Sequence, residues 1–168
     1  MTTPVFVVVG HANRGKSSIV STLAADETVR VGATPGTTRR ARRYPMRLDG
    51  ETLYHLVDTP GFERARHVMA WLRAREEGTG SRPRVVREFV EAHAEDPRFE
   101  HECELLRPIL DGGAILYVVD ASAPLSASAE TEAEILRWTG RPRMALLNPI
   151  GPADHSDGWR PVLDQYFS

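Results

Sequence analysis

The stretch GHANRGKS occupies residues 10–17 and follows a continuous apolar run, VFVVV, at Val5–Val9. Such a run is typical of a strand that is buried on both faces in a parallel sheet. From residue 16 to residue 25 the pattern becomes helical, with Ile19 and Leu23 on one side. The sequence therefore predicts a strand, a glycine-containing loop and a helix in that order.

The same stretch matches the pattern G-x-x-x-x-G-K-[ST]. Glycines in such a loop let backbone N–H groups approach phosphate oxygens without obstruction by Cβ atoms. The ammonium of Lys16 would reach the β and γ phosphates of a nucleotide, and the hydroxyl of Ser17 would ligate Mg²⁺. A chance match in a turn is the alternative, but the flanking strand and helix favour a phosphate-binding loop (P-loop). The predicted nucleotide-binding residues here are Gly10, Asn13, Arg14, Gly15, Lys16, Ser17 and Ser18.

Composition narrows the class of protein. Lys16 is the only lysine among 168 residues, and all other basic side chains apart from the histidines are arginines. The net charge of -2 excludes an overall basic field of the kind that coats nucleic acid. A single cysteine, Cys103, excludes an internal disulfide framework. Because no apolar run approaches the roughly 20 residues that span a bilayer, we expect a soluble, cytoplasmic protein.

Strand and helix patterns alternate along the rest of the chain, which indicates a three-layer α/β domain with a mainly parallel sheet. A polar stretch at 26–43 has no periodicity and is interpreted as a functional loop. The elements predicted after it are strands at 44–48 and 52–57 joined by an Asp49-Gly50 hairpin turn, two or three helices within 63–111 with breaks at 78–83 and 96–97, a buried strand at 114–119, a helix at 129–139 begun by Ser126 or Ser128, a strand at 144–147 and a helix at 159–167.

Two further motifs follow the P-loop: PGTTR at residues 35–39 and DTPG at residues 58–61. The three motifs together resemble the translation-factor-related GTPases, specifically the Era/TrmE-like branch. The resemblance covers strands and loops from residue 5 to about residue 151. It implies the P-loop NTPase (G-domain) fold with one antiparallel hairpin strand, GTP and GDP as ligands, and Mg²⁺ as cofactor.

The resemblance also implies roles for residues in these two motifs. Thr38 would complete the Mg²⁺ shell and sense the γ-phosphate from switch I, and Thr37 is the less favoured alternative. Asp58 would hold Mg²⁺ through water, and the N–H group of Gly61 would contact the γ-phosphate. The two loops would order with triphosphate and relax after hydrolysis, as in a molecular switch. The implied catalytic residues are Lys16, Thr38 and Gly61, and the implied Mg²⁺ ligands are Ser17, Thr38 and Asp58.

Phe62 follows DTPG at the position where Ras-like enzymes carry a glutamine that orients the attacking water. We therefore expect slow hydrolysis. In similar proteins with a hydrophobic residue there, an asparagine at the fourth P-loop position helps to bind K⁺, often across a G-domain dimer. Asn13 holds that position, so the alternatives are a K⁺ ligand in a possible homodimer and a residue that merely caps the loop.

The guanine-specificity motif N-K-x-D is degenerate, because this chain has NPIG at 148–151. Asn148 is retained as a predicted nucleotide contact, whereas Pro149 and Gly151 replace the lysine and the aspartate. Loss of the charged acceptor reduces discrimination between bases. Asp154 could substitute if the loop bulges. A nucleotide-binding interaction module with little hydrolysis, or an ATP-using P-loop protein, therefore remains an alternative.

We expect residues 1–168 to form a single GTPase-type domain that is incomplete at its C-terminus, without the last strand and helix of a G domain. The segment 63–111 would be a helical insertion after switch II, interpreted as a lid or effector element. An effector protein, RNA or a membrane surface could bind the missing region or a basic cluster, although a solvated surface is the favoured interpretation of that cluster. The cluster comprises Arg39, Arg40, Arg42, Arg43 and Arg47.

His93, His101 and Cys103 resemble a metal set only loosely. Their spacing matches no standard zinc pattern, and a fourth ligand is missing. We therefore do not expect a metal there.

Overall fold

In the computed structural model the described residues are 3–11, 16–24 and 38–167. They form a five-stranded sheet with the order β2-β3-β1-β4-β5. All neighbouring strands pair in parallel except β2 and β3, which pair antiparallel. This topology confirms the predicted α/β fold with a mainly parallel sheet and one antiparallel hairpin strand. The strands are β1 (Val5–Val9), β2 (Arg42–Leu48), β3 (Glu51–Asp58), β4 (Ala114–Val119) and β5 (Arg143–Leu147).

The described residues also form six α-helices, which cover the two faces of the sheet, and most begin and end close to the predicted positions. Ser126 is the residue that begins α5, because its Oγ accepts a hydrogen bond from the Ala129 N–H at 3.1 Å. Turns of 3₁₀ helix occupy Thr79–Ser81, within the first predicted break, and Pro97–Phe99, which begins at the last residue of the second. The helices are α1 (Lys16–Ala24), α2 (Ala65–Arg73), α3 (Arg82–Ala92), α4 (Glu100–Leu110), α5 (Ala127–Trp138) and α6 (Ser156–Phe167).

The β2–β3 hairpin has the predicted two-residue turn. Asp49 and Gly50 have φ angles of 51° and 86°. Positive φ at both central residues is the signature of a type I′ turn, whose twist matches that of the flanking strands. The register shifts between Met46 and Arg47, where the pairing of the two strands is irregular.

Apolar side chains build a separate core on each face of the sheet. On one face Val8 and Met46 pack with Val20 of α1. On the other face, side chains of α2–α6 pack with those of β1 and β4 in a larger core. This core includes the fully buried Phe89 of α3 and Leu106 of α4. The helices between residues 63 and 111 therefore fold as part of the main core. That they are an insertion relative to a minimal G domain stays a prediction.

Among the described residues, β2 and β5 form the two edges of the sheet. Two apolar side chains of β5, Met144 and Leu146, are exposed. No helix in the described part of the chain is both long and apolar enough to span a bilayer.

Close packing before β4 predicts a specific effect of one substitution. A Cβ atom at Gly113 would lie 2.5 Å from Val7 Cγ2 and 2.8 Å from the carbonyl oxygen of Pro108. We expect Gly113→Ala to lower the free energy of unfolding by about 1–3 kcal/mol, since an overpacked core must shift. Urea denaturation measures this difference.

Gly158→Ala is the matched control, because no atom would lie within 4 Å of the new Cβ in α6. The control should leave stability unchanged or raise it by about 0.5–1 kcal/mol. Equal losses in both variants would contradict the packing argument.

Candidate functional site

The parallel strands place several predicted residues at one edge of the sheet. Val8 of β1 lies opposite Asp58, the last residue of β3, and Val9 lies opposite Tyr117 of β4. The carboxyl ends of these strands therefore open at the same edge. Ligands of open α/β sheets bind in the crevice at this edge. Gly10 and His11, the two residues that follow β1, lie there.

Lys16 begins α1 with its ammonium group inside this crevice. The residue is 7% exposed, and its Nζ donates a hydrogen bond to the His11 carbonyl oxygen at 2.9 Å. Burial lowers the pKa of Lys16, and the carboxylates of Asp58 and Glu132 partly offset this effect. The site thus holds a buried ammonium group near two carboxylates. Its hydrogen bond to the His11 carbonyl oxygen is one that a phosphate oxygen could replace.

Thr38 and Asp58 are 20 residues apart in sequence and adjacent in space. Thr38 Oγ1 donates a hydrogen bond to Asp58 Oδ2 at 3.3 Å, and Asp58 is 4% exposed. Hydroxyl and carboxylate oxygens are the hard ligands that Mg²⁺ prefers. The structure therefore brings together two of the three implied Mg²⁺ ligands, and their chemistry fits that ion.

Hydrogen bonds attach the segment after Asp58 to β1 and to the start of the P-loop. Fully buried Thr59 donates from Oγ1 to the Val8 carbonyl oxygen at 2.7 Å. The Phe62 N–H donates to the Gly10 carbonyl oxygen at 3.3 Å. Gly61, itself buried, precedes this contact. The Phe62 side chain, 1% exposed, packs into the main core and provides no polar group to the site.

Gly10 is required by packing as well as by the loop. A Cβ atom there would lie 2.4 Å from the carbonyl oxygen of Val118 in β4. This contact adds a second reason for the first glycine of the motif, since any side chain would push the loop away from the sheet.

Several predicted residues fall partly or wholly outside the described part of the chain. Asn13, Arg14 and Gly15 lie outside it, and so does the side chain of Ser17. Ser18 lies in the first turn of α1 with an exposed side chain, and its carbonyl oxygen accepts a hydrogen bond from Thr22 Oγ1 at 2.9 Å. The proposed K⁺ contact of Asn13 thus stays a prediction.

The loop 148–151 is held against the end of β4. The Asn148 N–H donates to the Val119 carbonyl oxygen at 2.8 Å, and the Ile150 N–H donates to Asp120 Oδ1 at 3.3 Å. The Gly151 N–H donates to Ser122 Oγ at 2.8 Å. The position that carries the aspartate of N-K-x-D is thus occupied by a glycine bound to a serine hydroxyl.

Asp154, the predicted substitute for the missing aspartate, contacts the start of α6. Its Oδ1 accepts a hydrogen bond at 2.9 Å from the N–H group of Ser156, where α6 begins. Hydrogen bonding to Ser156 lowers the pKa of the Asp154 carboxyl. The exposed carboxylate thus binds the first N–H group of the helix, and a contact of Asp154 with the base stays a prediction.

A buried carboxylate behind the P-loop was not predicted. Glu132 of α5 is fully buried; its Oε1 lies 2.9 Å from His11 Nδ1, and its Oε2 accepts a hydrogen bond from Tyr117 OH at 3.0 Å. Burial raises the pKa of Tyr117 well above its usual value. The signal in the sequence is a glutamate within the apolar stripe of a helix, next to Ala133.

In the loose metal set, two residues meet through a backbone atom and the third pairs with a glutamate. Cys103 Sγ lies 3.5 Å from the carbonyl oxygen of His93, whereas His101 Nδ1 lies 2.9 Å from Glu63 Oε1. In the described ranges, no group of three or more His, Cys, Asp or Glu side chains is placed to hold a metal ion.

The predicted basic cluster lies at and just before the edge strand β2. All five arginine side chains are exposed, consistent with either a solvated edge or a surface for an anionic partner. The cluster comprises Arg39, Arg40, Arg42, Arg43 and Arg47.

The sheet order, the buried lysine and the Thr38–Asp58 pair are those of a P-loop GTPase domain. Comparison with protein families agrees: residues 5–149 match the family described as 50S ribosome-binding GTPase. The chain therefore belongs to that family.

Curated relatives are named GTPase Der. The protein from Paraburkholderia phymatum is 28% identical over 145 residues, which are 86% of this chain and 26% of the relative. The protein from Vibrio parahaemolyticus is 27% identical over 168 residues, or 98% of this chain and 28% of the relative. The chain thus spans about a quarter of the length of these relatives.

Solved structures share the fold. A variant of Aquifex aeolicus Era bound to GDP·AlF4⁻ has a TM-score of 0.61 at 19% identity, covering 98% of this chain and 46% of that one. Era with MgGDPNP and a segment of 16S ribosomal RNA has a TM-score of 0.54, covering 98% and 46% at 19% identity. NFeoB from S. thermophilus bound to GDP·AlF4⁻ and K⁺ has a TM-score of 0.52, covering 97% and 47% at 19% identity.

The packing of Cys103 predicts an unreactive thiol. Burial raises the pKa of Cys103 from 9.0 to about 11, so the native thiol stays neutral near pH 8. We expect native protein to react with iodoacetamide about a hundredfold more slowly than the unfolded chain, because about a hundredfold less thiolate is present. Alkylation kinetics at pH 8 with and without urea test this expectation. Equal rates would contradict the placement of the thiol.

Proposed function

We propose that this domain binds Mg²⁺ and GTP and slowly hydrolyses the γ-phosphate to leave GDP, acting as a molecular switch. The observation that carries the proposal is the convergence of a buried ammonium, Lys16, with the Thr38–Asp58 pair at the carboxyl edge of β1 and β3. Membership of a GTPase family and relatives named GTPase support it. A cytoplasmic location is part of the proposal.

Lys16 would supply positive charge to the β and γ phosphates. Its ammonium now donates to the carbonyl oxygen of His11, and on binding it would donate to phosphate oxygens instead. A lysine suits this exchange because its compact ammonium moves on a flexible stem, whereas the arginine fork is wider and planar.

Ser17, Thr38 and Asp58 would hold Mg²⁺. Bound there, the ion would neutralise charge on the β and γ phosphate oxygens during phosphoryl transfer. The hydrogen bond between Thr38 and Asp58 supports this assignment, because it holds a hydroxyl and a carboxylate side by side. The backbone N–H group of Gly61 would contact the γ-phosphate and complete the contacts that order the two switch segments.

We propose that GTP hydrolysis is slow because Phe62 stands at the position of the water-orienting glutamine. Its side chain is buried in the core and cannot orient an attacking water. A K⁺ ion bound through Asn13 would then supply the missing positive charge, with a G-domain homodimer as the possible setting. The K⁺ named for NFeoB from S. thermophilus, which has the same fold, supports this part of the proposal.

Preference for guanine rests on the family and on Asn148, since residue 151 is a glycine and Asp154 caps α6. We therefore propose that the domain discriminates GTP from ATP less strongly than a domain with a complete N-K-x-D motif. Partners beyond the nucleotide are proposed at the basic cluster: RNA, in view of the Era complex with 16S ribosomal RNA, an effector protein or a membrane surface.

A second candidate function is a nucleotide-binding interaction module that barely hydrolyses. The burial of Phe62 favours it, because the side chain at the position of the water-orienting glutamine is apolar and packs in the core. Under this alternative the two switch segments would still respond to the bound nucleotide.

Titration of GTP, GDP and ATP into wild type and Lys16→Ala tests the proposal. We expect the substitution to weaken GTP binding at least about tenfold, the size of a lost hydrogen bond to a charged group. Arg84→Ala removes an exposed cation far from the crevice and is the matched control. Unchanged GTP binding by Lys16→Ala would contradict the proposal, and tenfold tighter binding of ATP than of GTP would favour an ATP-using protein.

A second measurement, single-turnover phosphate release from bound GTP in K⁺ and in Na⁺, separates the two candidate functions. Release that is faster in K⁺ than in Na⁺ supports the GTPase with a K⁺ ion at Asn13. Equal rates in the two salts would exclude the K⁺ contribution. Tight GTP binding without measurable release would favour the interaction module.

A further inference from the structure

Helix α4 carries a buried carboxylate that binds the backbone just after the DTPG segment. Glu102 is 1% exposed, and its Oε1 accepts hydrogen bonds from the N–H groups of Glu63 at 2.9 Å and Arg64 at 2.6 Å. A buried carboxylate is costly unless it is hydrogen-bonded. Here both donors come from one short stretch of chain, two and three residues beyond Gly61.

The same contact caps helix α2. Arg64 is the N-cap residue of α2, and no local side chain accepts a hydrogen bond there. The first N–H groups of a helix need acceptors, and negative charge is favourable at that end. Glu102 supplies an acceptor and a negative charge from a different helix, so the start of α2 is fixed relative to α4.

A second glutamate of α4 binds the segment that carries Thr38. Glu104 Oε2 accepts a hydrogen bond from the N–H group of Ala41 at 3.0 Å, and Arg107 holds its other oxygen at 3.1 Å. The Glu104 side chain is 23% exposed. Ala41 is three residues beyond Thr38, so this contact restrains switch I at its C-terminal end.

We propose that Glu102 and Glu104 are positioning residues for the hydrolysis proposed above, on which this inference rests. Glu102 sets the position of Gly61 through residues 63 and 64, and Glu104 sets the position of Thr38 through Ala41. The two acceptors lie two residues apart on one helix. They therefore fix the two segments relative to one another, and displacement of either segment is transmitted to α4.

The test compares four variants in single-turnover GTP hydrolysis, GDP affinity and thermal unfolding. Glu104→Ala removes the tie to switch I at a partly exposed position. Glu102→Ala removes the tie to the second segment, and Glu102→Gln keeps an amide oxygen of the same reach that can accept both N–H groups. Glu100→Ala, at an exposed position in the first turn of α4, is the matched control.

We expect Glu104→Ala to hydrolyse about tenfold more slowly than wild type, the size of one lost hydrogen bond to a charged group, with GDP affinity unchanged within about twofold. Glu102→Ala should lose at least as much, whereas Glu102→Gln should recover most of the rate. The control should match wild type. A purely structural role would lower the unfolding temperature without this pattern of rates.

Wild-type rates in Glu104→Ala and in folded Glu102→Ala would overturn the inference while leaving the proposed function intact. If Glu102→Ala does not fold, Glu104→Ala decides alone, and a wild-type rate in that variant overturns the inference. A wild type that binds no GTP, or binds it without hydrolysis, would instead contradict the GTPase proposal, and the positioning roles would fall with it.

Discussion

The parallel pairing of β1 with β3 is the constraint on which the site depends. It sets Val8 opposite Asp58, and the buried hydrogen bond from Thr59 to the Val8 carbonyl oxygen fixes the chain as it leaves β3. Because both strands end at the same edge, Gly10, the first residue after β1, and the carboxylate at the end of β3 share one crevice. Thr38 donates a hydrogen bond to that carboxylate, and the buried ammonium of Lys16 interacts with its charge.

Local signals explain why much of the fold could be predicted. The buried run before the P-loop, the Asp49-Gly50 turn and the Ser126 cap each depend on neighbours within a few residues, and the structure confirms all three. The pairing of Thr38 with Asp58 was predictable for another reason, since the motifs that carry them have known relative positions in the GTPases that the chain resembles.

The buried glutamates could not be predicted because their partners are distant in sequence. Glu132 is 121 residues from His11, and Glu102 is 39 residues from Glu63. The apolar neighbours of Glu132 in α5 indicate burial, but they do not identify its partners. For Glu102 and Glu132 alike, the partners follow only from the packing of α4 and α5 against the sheet. The role of the NPIG loop was equally hidden, since its contacts with Asp120 and Ser122 join two separate strand ends.

We propose that Lys16, Thr38 and Asp58 form one site for Mg²⁺ and a nucleoside triphosphate. The most direct measurement is GTP affinity in Mg²⁺ and in EDTA for wild type and for Asp58→Asn, which keeps the shape of the side chain and removes its charge. We expect wild type to bind GTP more tightly in Mg²⁺ and Asp58→Asn to lose most of this difference. A variant that keeps the full Mg²⁺ dependence of wild type would contradict it.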